Sequence, residues 1–280
     1  MIPSFDGTLI CGRRVAGPPG SEPILLSNAI GANLTIWKDV LPLLAAHHPV
    51  ITWDHRGLFE SHPPASRALD AASHATDALS VLDAFGVKRA CLLSWSSGTR
   101  IAIEIAAHHP ERISSLAVVC GGYGHAPGNL IRYVEPASAL PAVARAGKYF
   151  PTALGALFKN LVGRPEITGI LRQTGLVGTT ADISALVDGL RAMAGCDLGL
   201  LLRSYEEVAG DAAPGLAAMI EAPTLLIAGE RDRFTSLRMM EDMATRMADA
   251  RLEIYEKGTH YIPIEYPARL ADHLTTFFAR

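Results

Sequence analysis

The sequence has few cysteines, and their spacing excludes two kinds of protein. The four are Cys11, Cys91, Cys120 and Cys196, and no two of them form a CxxC pair. This scatter suits neither a disulfide framework nor a cysteine-bound zinc ion. Cys91 and Cys120 also lie within apolar runs, where cysteine behaves as a small buried hydrophobic residue. We therefore expect a reduced protein.

Charge is scarce as well. Charged residues make up 19% of the chain, the net charge is −3, and no basic run or acidic tail stands out. Binding to nucleic acid or to an anionic membrane needs a basic patch, which this balance does not predict. No uncharged apolar run is long enough to cross a bilayer, and residues 1–7 lack the basic start and apolar core of a secretory signal. We expect a cytoplasmic protein that binds neither nucleic acid nor membranes, and the sequence leaves its oligomeric state open.

Cofactor signals are also missing. The chain has no phosphate-binding glycine-rich loop and no convincing cluster of metal ligands. His47 with His48, and His108 with His109, each precede a proline. Histidine favours a helix C-terminus and proline ends a helix, so this explanation is stronger than metal binding. We expect neither a metal nor an organic cofactor.

What the chain does have is a regular alternation of short apolar runs and helical patterns. Hydrophobic residues make up 49% of 280 positions, enough to bury a large core. Apolar runs bounded by turn residues predict buried strands over 23–27, 50–54, 90–94, 113–120, 224–228 and 251–256. Helical spacing predicts helices over 33–47, 73–85, 97–108, 235–247 and 267–279. This order is typical of an α/β protein with a mostly parallel sheet covered by helices on both faces.

The alternation stops in the middle of the chain. From about residue 125 to residue 218 the pattern is helical, with many Ala, Leu and Gly residues and no clear strand. We predict a core domain made of residues 1–123 and 219–280, with residues 124–218 as a helical cap inserted after the sixth strand. Such a cap shapes a substrate pocket and excludes water from the reacting groups.

Ser96 is the strongest candidate for a nucleophile. It lies in the stretch SWSSG at 94–98, where a predicted strand meets a predicted helix. A nucleophile elbow is a sharp turn that needs small residues two before and two after the serine. Ser96 has Ser94 and Gly98 in these positions, whereas the other two serines have a bulky residue in one of them. A serine-rich turn is also an ordinary helix cap, so the motif alone leaves both explanations open.

Two later residues complete a candidate catalytic triad. Asp232 follows the predicted strand over 224–228, and His260 follows the last predicted strand. Separately, Asp232 could be a turn or helix-capping residue and His260 a surface histidine. The order Ser, Asp, His at successive strand ends favours a nucleophile, an orienting acid and a general base. The two oxyanion donors are predicted to be the backbone N–H groups of Ser97, directly after the nucleophile, and Ile30, in the loop after the strand over 23–27.

These residues resemble those of the α/β-hydrolase superfamily over essentially the whole chain. Besides the elbow, DHRG at 54–57 with Ser61 resembles the superfamily segment D-x-R-G-x-G-x-S. The letters GTH at 258–260, followed by EYP at 265–267, resemble its histidine loop and the start of its last helix. The resemblance implies the α/β-hydrolase fold and acyl transfer by the triad. Relatives with alkyl-enzyme chemistry have an aspartate where this chain has Ser96.

Within the superfamily, the segment SNAIG at 27–31 and Trp37 are similar to the 3-oxoadipate enol-lactonase subgroup. Leu58 and Phe59 replace a His-Gly pair common in that subgroup, and Ser94 replaces the first glycine of the elbow. The resemblance implies a serine hydrolase acting on a small-molecule carboxylic ester or lactone.

Two alternatives stay open on the same residues. A thioesterase, cyclase or lyase-type biosynthetic enzyme keeps the triad and changes the leaving group or the pocket. A ligand receptor of low turnover keeps the fold and the pocket.

Overall fold

The computed structural model describes residues 1–124, 156–157, 159–162, 164–210 and 213–279 of the chain. Its main feature is one seven-stranded sheet, beside a small two-stranded sheet near the N-terminus. The strands are β1 (Ile2–Pro3), β2 (Leu9–Ile10), β3 (Gly12–Val15), β4 (Ile24–Ser27), β5 (Val50–Trp53), β6 (Ala90–Trp95), β7 (Ile113–Val119), β8 (Thr224–Gly229) and β9 (Ala250–Tyr255).

The large sheet has the strand order β3-β5-β4-β6-β7-β8-β9. Strand β3 runs antiparallel to β5 at one edge, and the other neighbouring pairs are parallel. Strand β6 is central, with Ser94 paired to Ser27 of β4 on one side and to Val118 of β7 on the other. The carboxyl ends of the parallel strands therefore meet at one edge of the sheet, where the loops of α/β proteins bind ligands.

Helices cover both faces of this sheet. They are α1 (Leu41–Ala45), α2 (Ala71–Ala84), α3 (Gly98–His108), α4 (Pro165–Gln173), α5 (Ile183–Ala194), α6 (Leu198–Gly210), α7 (Pro214–Ala217), α8 (Leu237–Arg246), α9 (Ile262–Glu265) and α10 (Pro267–Phe278). Short 3₁₀ helices occupy Leu34–Trp37 and Pro110–Arg112. Buried side chains from alternate strand positions separate into two hydrophobic clusters, Leu25 and Leu92 in one, Ile24 and Leu93 in the other. The α/β class predicted from the sequence is confirmed.

One predicted helix is wrong. The span 33–47 contains a 3₁₀ helix at Leu34–Trp37 and then the separate helix α1. Pro42 lies in the first turn of α1. Proline lacks an N–H and its ring clashes with the carbonyl four residues earlier, so one continuous helix through this position is excluded. The sequence analysis also missed β1 and β2, which have two residues each, and β3, in which Arg13 and Arg14 interrupt any apolar run.

The segment between β7 and β8 contains the helices α4 to α7 and no strand among its described residues. Strand β7 is the fifth strand of the large sheet in chain order, because β1 and β2 pair with each other separately. The cap predicted at 124–218 includes many positions outside the described residues, and its boundaries stay a prediction. Among the described residues, no helix has the length and apolar character needed to span a membrane.

Candidate active site

Ser96 lies on a strained turn between β6 and α3. Its φ is 55°, in the left-handed region that non-glycine residues rarely adopt. Its N–H donates to the Val119 carbonyl at 3.1 Å, which fixes the turn against β7. A Cβ added at Gly98 would lie 2.2 Å from the Asn28 carbonyl oxygen, so only glycine permits the helix to start this close to the loop after β4. This local geometry is that of the predicted nucleophile elbow.

Ser94, which stands where the elbow motif has its first glycine, is fully buried. Its hydroxyl lies 3.1 Å from Thr99 Oγ1 and donates more weakly to the Ala117 carbonyl at 3.4 Å. The extra atoms of serine are therefore accommodated and hydrogen-bonded. This agrees with its predicted role as a small packing residue.

The structure brings together Ser96, Asp232 and His260, which are far apart in sequence. His260 Nε2 lies 2.7 Å from Ser96 Oγ, and His260 Nδ1 lies 2.8 Å from Asp232 Oδ2. The side chains of His260 and Asp232 are 7% and 1% exposed, so their contact is shielded from water. With a proton on Nδ1 facing the carboxylate, Nε2 is free to accept the proton of the serine hydroxyl. Such a chain of contacts can raise the nucleophilicity of Ser96.

The backbone after β8 holds the Asp232 carboxylate. Its Oδ1 accepts hydrogen bonds from the N–H groups of Phe234 at 2.7 Å and Thr235 at 2.9 Å. The Thr235 hydroxyl in turn donates to the Cys120 carbonyl at 3.1 Å, which ties this turn to the end of β7. The turn and capping interactions considered for Asp232 in the sequence therefore coexist with its contact to His260. Oδ1 accepts the turn and capping hydrogen bonds, and Oδ2 contacts His260 Nδ1.

Aromatic side chains that the sequence analysis did not assign surround the histidine. The Trp95 and Phe234 rings lie 5.6 and 4.8 Å from the His260 ring, centre to centre, and the Tyr261 ring lies 5.7 Å away. Trp95 Nε1 also donates to the His260 carbonyl at 3.0 Å. Burial raises the pKa of Tyr261 to about 12, so this phenol stays neutral at physiological pH. In the sequence, the signal for these aromatic contacts was Trp95, which lies between Ser94 and Ser96 of the elbow.

Cys120 lies beside the contact between Asp232 and His260. Its sulfur, an Asp232 oxygen and a His260 nitrogen lie within 4.8 Å of one another, the one such trio of potential metal ligands within the part of the chain that is described. Burial first, and then the negative charge of Asp232, raise the pKa of the Cys120 thiol well above its usual value. Thiols bind metals as thiolates, and both ring nitrogens of His260 already have partners. This chemistry fits a triad better than a metal site.

The loop after β4 carries the predicted second oxyanion donor. Ser27 Oγ donates to the Gly98 carbonyl at 2.9 Å, and Trp37 Nε1 donates to Asn28 Oδ1 at 2.6 Å, so both polar side chains of the SN pair anchor the loop. The Ile30 N–H donates to Ser97 Oγ at 2.9 Å. Ile30 is thus next to the elbow as predicted, but its N–H already has a partner.

A neighbouring N–H is an alternative to that of Ile30. Among the hydrogen bonds of the described residues, none is donated by the backbone N–H of Ala29 or of Ser97. Ala29 precedes Ile30 in the same buried loop. The sequence analysis missed Ala29 because which N–H of a loop is left without a partner depends on contacts between distant segments.

The segment predicted as a cap contributes no identified cation to the site among its described residues. Every described cation in 124–218 is exposed, namely Lys159, Arg164, Arg172, Arg191 and Arg203. Arg132, Arg145 and Lys148 lie outside the described residues. Solvated helix faces therefore account for the described ones.

Comparison with known proteins places the chain in a family. The sequence pattern of the family described as alpha/beta hydrolase fold matches residues 22–140. RutD of Azorhizobium caulinodans, whose name assigns it provisionally to carbamate hydrolysis, is 30% identical over 247 residues, covering 85% of this chain and 84% of that protein. The matching stretch in RutD of Caulobacter segnis is shorter and spans only 39% of that relative.

Solved structures share the fold along their whole length. A hydrolase from Pseudomonas aeruginosa PA01 has a TM-score of 0.77 at 27% identity and covers 100% of this chain and 97% of its own. The enol-lactonase from Burkholderia xenovorans LB400 has a TM-score of 0.76 at 20% identity, with 98% of each chain covered. At that identity the likeness to the enol-lactonase shows the fold alone.

The sheet, the elbow and these relatives together define the class of protein. The chain belongs to the α/β-hydrolase fold family. The resemblance seen in the sequence is confirmed at the level of the family and the fold.

Proposed function

We propose that this α/β-hydrolase cleaves a small carboxylic ester or lactone through an acyl-enzyme on Ser96. The observation that carries the proposal is the unbroken line of contacts from Ser96 Oγ through the His260 ring to Asp232, at 2.7 and 2.8 Å. In this line each pair of neighbouring polar atoms is at hydrogen-bond distance, as general-base activation of a serine requires.

The proposed reaction has two halves. His260 Nε2 takes the Ser96 proton as Oγ attacks the substrate carbonyl carbon, and Asp232 stabilises the imidazolium. The tetrahedral intermediate then collapses, and His260 gives the proton to the departing alkoxide. In a lactone this alkoxide stays attached to the acyl group. Water activated by the same histidine releases the acid and restores Ser96.

The oxyanion needs two preorganised N–H donors. The Ser97 N–H is one proposed donor, and it has no partner among the hydrogen bonds of the described residues. Ile30 is the second donor predicted from the sequence. It can serve only if its N–H gives up its hydrogen bond to the Ser97 hydroxyl and donates to the oxyanion instead. The Ala29 N–H needs no such exchange.

Covalent labelling tests the nucleophile. A fluorophosphonate should label the wild-type protein at Ser96, and Ser96→Ala should lose both the label and turnover of p-nitrophenyl butyrate. Asp232→Asn and His260→Ala should lower kcat by about 10³-fold or more, since residual catalysis comes from binding and the oxyanion hole alone. Equal labelling of the wild type and of Ser96→Ala contradicts the proposal.

The leaving group is tested with a matched panel of substrates. An oxygen ester and a thioester of the same acid, a lactone, and a carbamate of the same alcohol as the ester separate the possible specificities, and the carbamate is included because of RutD. We expect the oxygen ester or the lactone to have the highest kcat/KM. Labelling of Ser96 without steady turnover of any of the four contradicts the hydrolase proposal and supports a receptor or a lyase.

A further inference from the structure

A buried carboxylate lies behind the candidate catalytic histidine. Glu265, the last residue of α9, is 5% exposed. None of the ion pairs between described residues includes it. A buried carboxylate without a counter-charge is costly unless hydrogen-bond donors surround it. Three hydrogen-bond donors surround the Glu265 carboxylate, and this makes Glu265 a candidate for a functional role.

The three donors come from two distant parts of the chain. Thr259 donates its N–H to Oε2 at 2.8 Å and its hydroxyl to Oε1 through a short hydrogen bond. Gly178, in the cap segment between α4 and α5, donates its N–H to Oε1 at 2.7 Å. Thr259 directly precedes His260. One carboxylate therefore connects the cap to the loop that carries the histidine.

The contact from the cap depends on a glycine. A Cβ added at Gly178 would lie 2.8 Å from Glu265 Oε1 and 2.9 Å from its Cδ, closer than such atoms approach. A second hydrogen bond reinforces the connection, because the Asp182 N–H, at the start of α5, donates to the Ile264 carbonyl at 2.9 Å. Asp182 also pairs with Lys38 of the core at 2.6 Å. The cap is thus attached at two neighbouring residues, Ile264 and Glu265 of α9, directly after the histidine loop.

We propose that Glu265 is a positioning residue that makes the placement of His260 depend on how the cap is seated. This rests on the proposed function of His260 as the base that activates Ser96. The imidazole must stay within hydrogen-bond distance of both Ser96 and Asp232, and a misplacement of about 1 Å can cost about 100-fold in rate. A substrate that holds the cap residues Gly178 and Asp182 against α9 favours the reactive histidine, so the cap selects substrates through kcat as well as through the shape of its pocket.

The first test removes the charge of Glu265 and keeps its size. In Glu265→Gln the side-chain NH₂ faces an N–H donor of Thr259 or Gly178, so at least one hydrogen bond is lost. We expect kcat for p-nitrophenyl butyrate to fall about 10- to 100-fold while KM changes less than about threefold.

A merely structural role has a different signature. It lowers the melting temperature and the fraction of active sites, which fluorophosphonate titration counts, and leaves kcat per active site unchanged. Glu256→Gln is the matched control, because Glu256 is an exposed glutamate that precedes the same loop.

The second test approaches the same contact from the cap. Gly178→Ala should lower kcat per active site in the same way, and adding it to Glu265→Gln should cost little more than the larger single change, because both act on the hydrogen bonds of the same side chain. Gly169→Ala is the control, since a Cβ on this α4 glycine meets nothing within 4 Å. If Glu265→Gln does not fold, Gly178→Ala alone decides.

Three outcomes are distinguishable. Wild-type kcat per active site in both variants overturns the inference, as do effects of the two changes that multiply independently in the double variant. Turnover retained by Ser96→Ala overturns the proposed function instead. Loss of turnover in Ser96→Ala together with an unaffected Glu265→Gln rejects only the role of Glu265.

Discussion

At the scale of single residues, Ser97 contributes two polar groups to the candidate site. Its backbone N–H follows the nucleophile and is a proposed oxyanion donor. Its hydroxyl accepts the Ile30 N–H at 2.9 Å and so connects the elbow to the loop after β4. This contact gives the hydroxyl a role in holding the loop in place.

Ser97→Ala separates the two possible second donors. If the hydroxyl supports the loop and Ala29 donates to the oxyanion, the loss of one hydrogen bond should lower kcat about fivefold, equivalent to about 1 kcal/mol. Steady-state kinetics with p-nitrophenyl butyrate measure this. The control is Ser80→Ala, which removes a hydroxyl that bonds only within α2. An unchanged or higher kcat in Ser97→Ala assigns the second donor to Ile30, whose N–H the substitution frees.

At the scale of elements, a buried ion pair joins the segment after β5 to α2. Arg56 donates from Nε and Nη2 to the two Asp77 oxygens at 2.8 and 2.6 Å, and both side chains are fully buried. Asp6, near the N-terminus, accepts from Arg56 Nη1 at 3.1 Å. The DHRG segment noted in the sequence thus has a structural role, since its arginine fixes three chain segments around one guanidinium.

Removing one partner of this pair should destabilise the protein strongly. We expect Asp77→Asn to lower the free energy of unfolding by about 3–5 kcal/mol, because the Arg56 charge stays buried without its main counter-charge. Urea denaturation measures this. Asp83→Asn is the control. Asp83 pairs with Arg112, but the Asp83 side chain is 66% exposed, and exposed pairs contribute at most about 1 kcal/mol. Equal losses in the two variants contradict this account.

At the scale of the whole molecule, two buried histidines connect stability to pH. The His55 and His74 rings lie 5.1 Å apart, and none of their nitrogens has a hydrogen-bond partner among the described residues. Burial lowers the pKa of His55 to about 4, and burial together with the charges of His55 and Arg56 lowers the pKa of His74 well below its usual value. Both are therefore neutral in the folded protein but protonate in the unfolded chain below about pH 6.5.

Acid should accordingly destabilise the fold. Below pH 6.5 the unfolded state binds more protons than the folded state, so stability is full above that pH and falls as the pH drops toward 4. For His55 alone the loss is roughly 2 kcal/mol between pH 7 and pH 5. Urea titrations over this range should show a shallower pH dependence in His74→Leu than in the wild type. The exposed His47, changed to Gln, should leave the slope as it is, and a wild-type slope in His74→Leu contradicts the assignment.

Much of the sheet could be predicted because most of its strands are continuous buried runs. Strands β4 to β9 match the predicted spans to within one residue at each end, although in β9 only Tyr255 is buried. Strands β1 and β2 were missed because two residues are too few to show a pattern, and β3 because Arg13 and Arg14 interrupt any apolar run. Pro42 explains the error over 33–47, because a proline inside a helical pattern marks a break.

The candidate triad was equally accessible from the sequence. Small residues around Ser96 and the order of Asp232 and His260 after successive strands are features of the linear chain, and parallel strands bring their carboxyl ends to one edge. The sequence therefore sufficed to select these three residues and to predict an α/β-hydrolase.

Only the tertiary structure decided which hydrogen bonds hold the segments around the candidate triad. The partner of the Ile30 N–H is a hydroxyl 67 residues away in the chain. The Glu265 carboxylate joins Gly178 to Thr259, which are 81 residues apart. Hydrogen bonds between distant segments depend on orientation and distances of a few tenths of an ångström. Composition and periodicity carry no information on these quantities, because they report the faces of elements and not the distances between them.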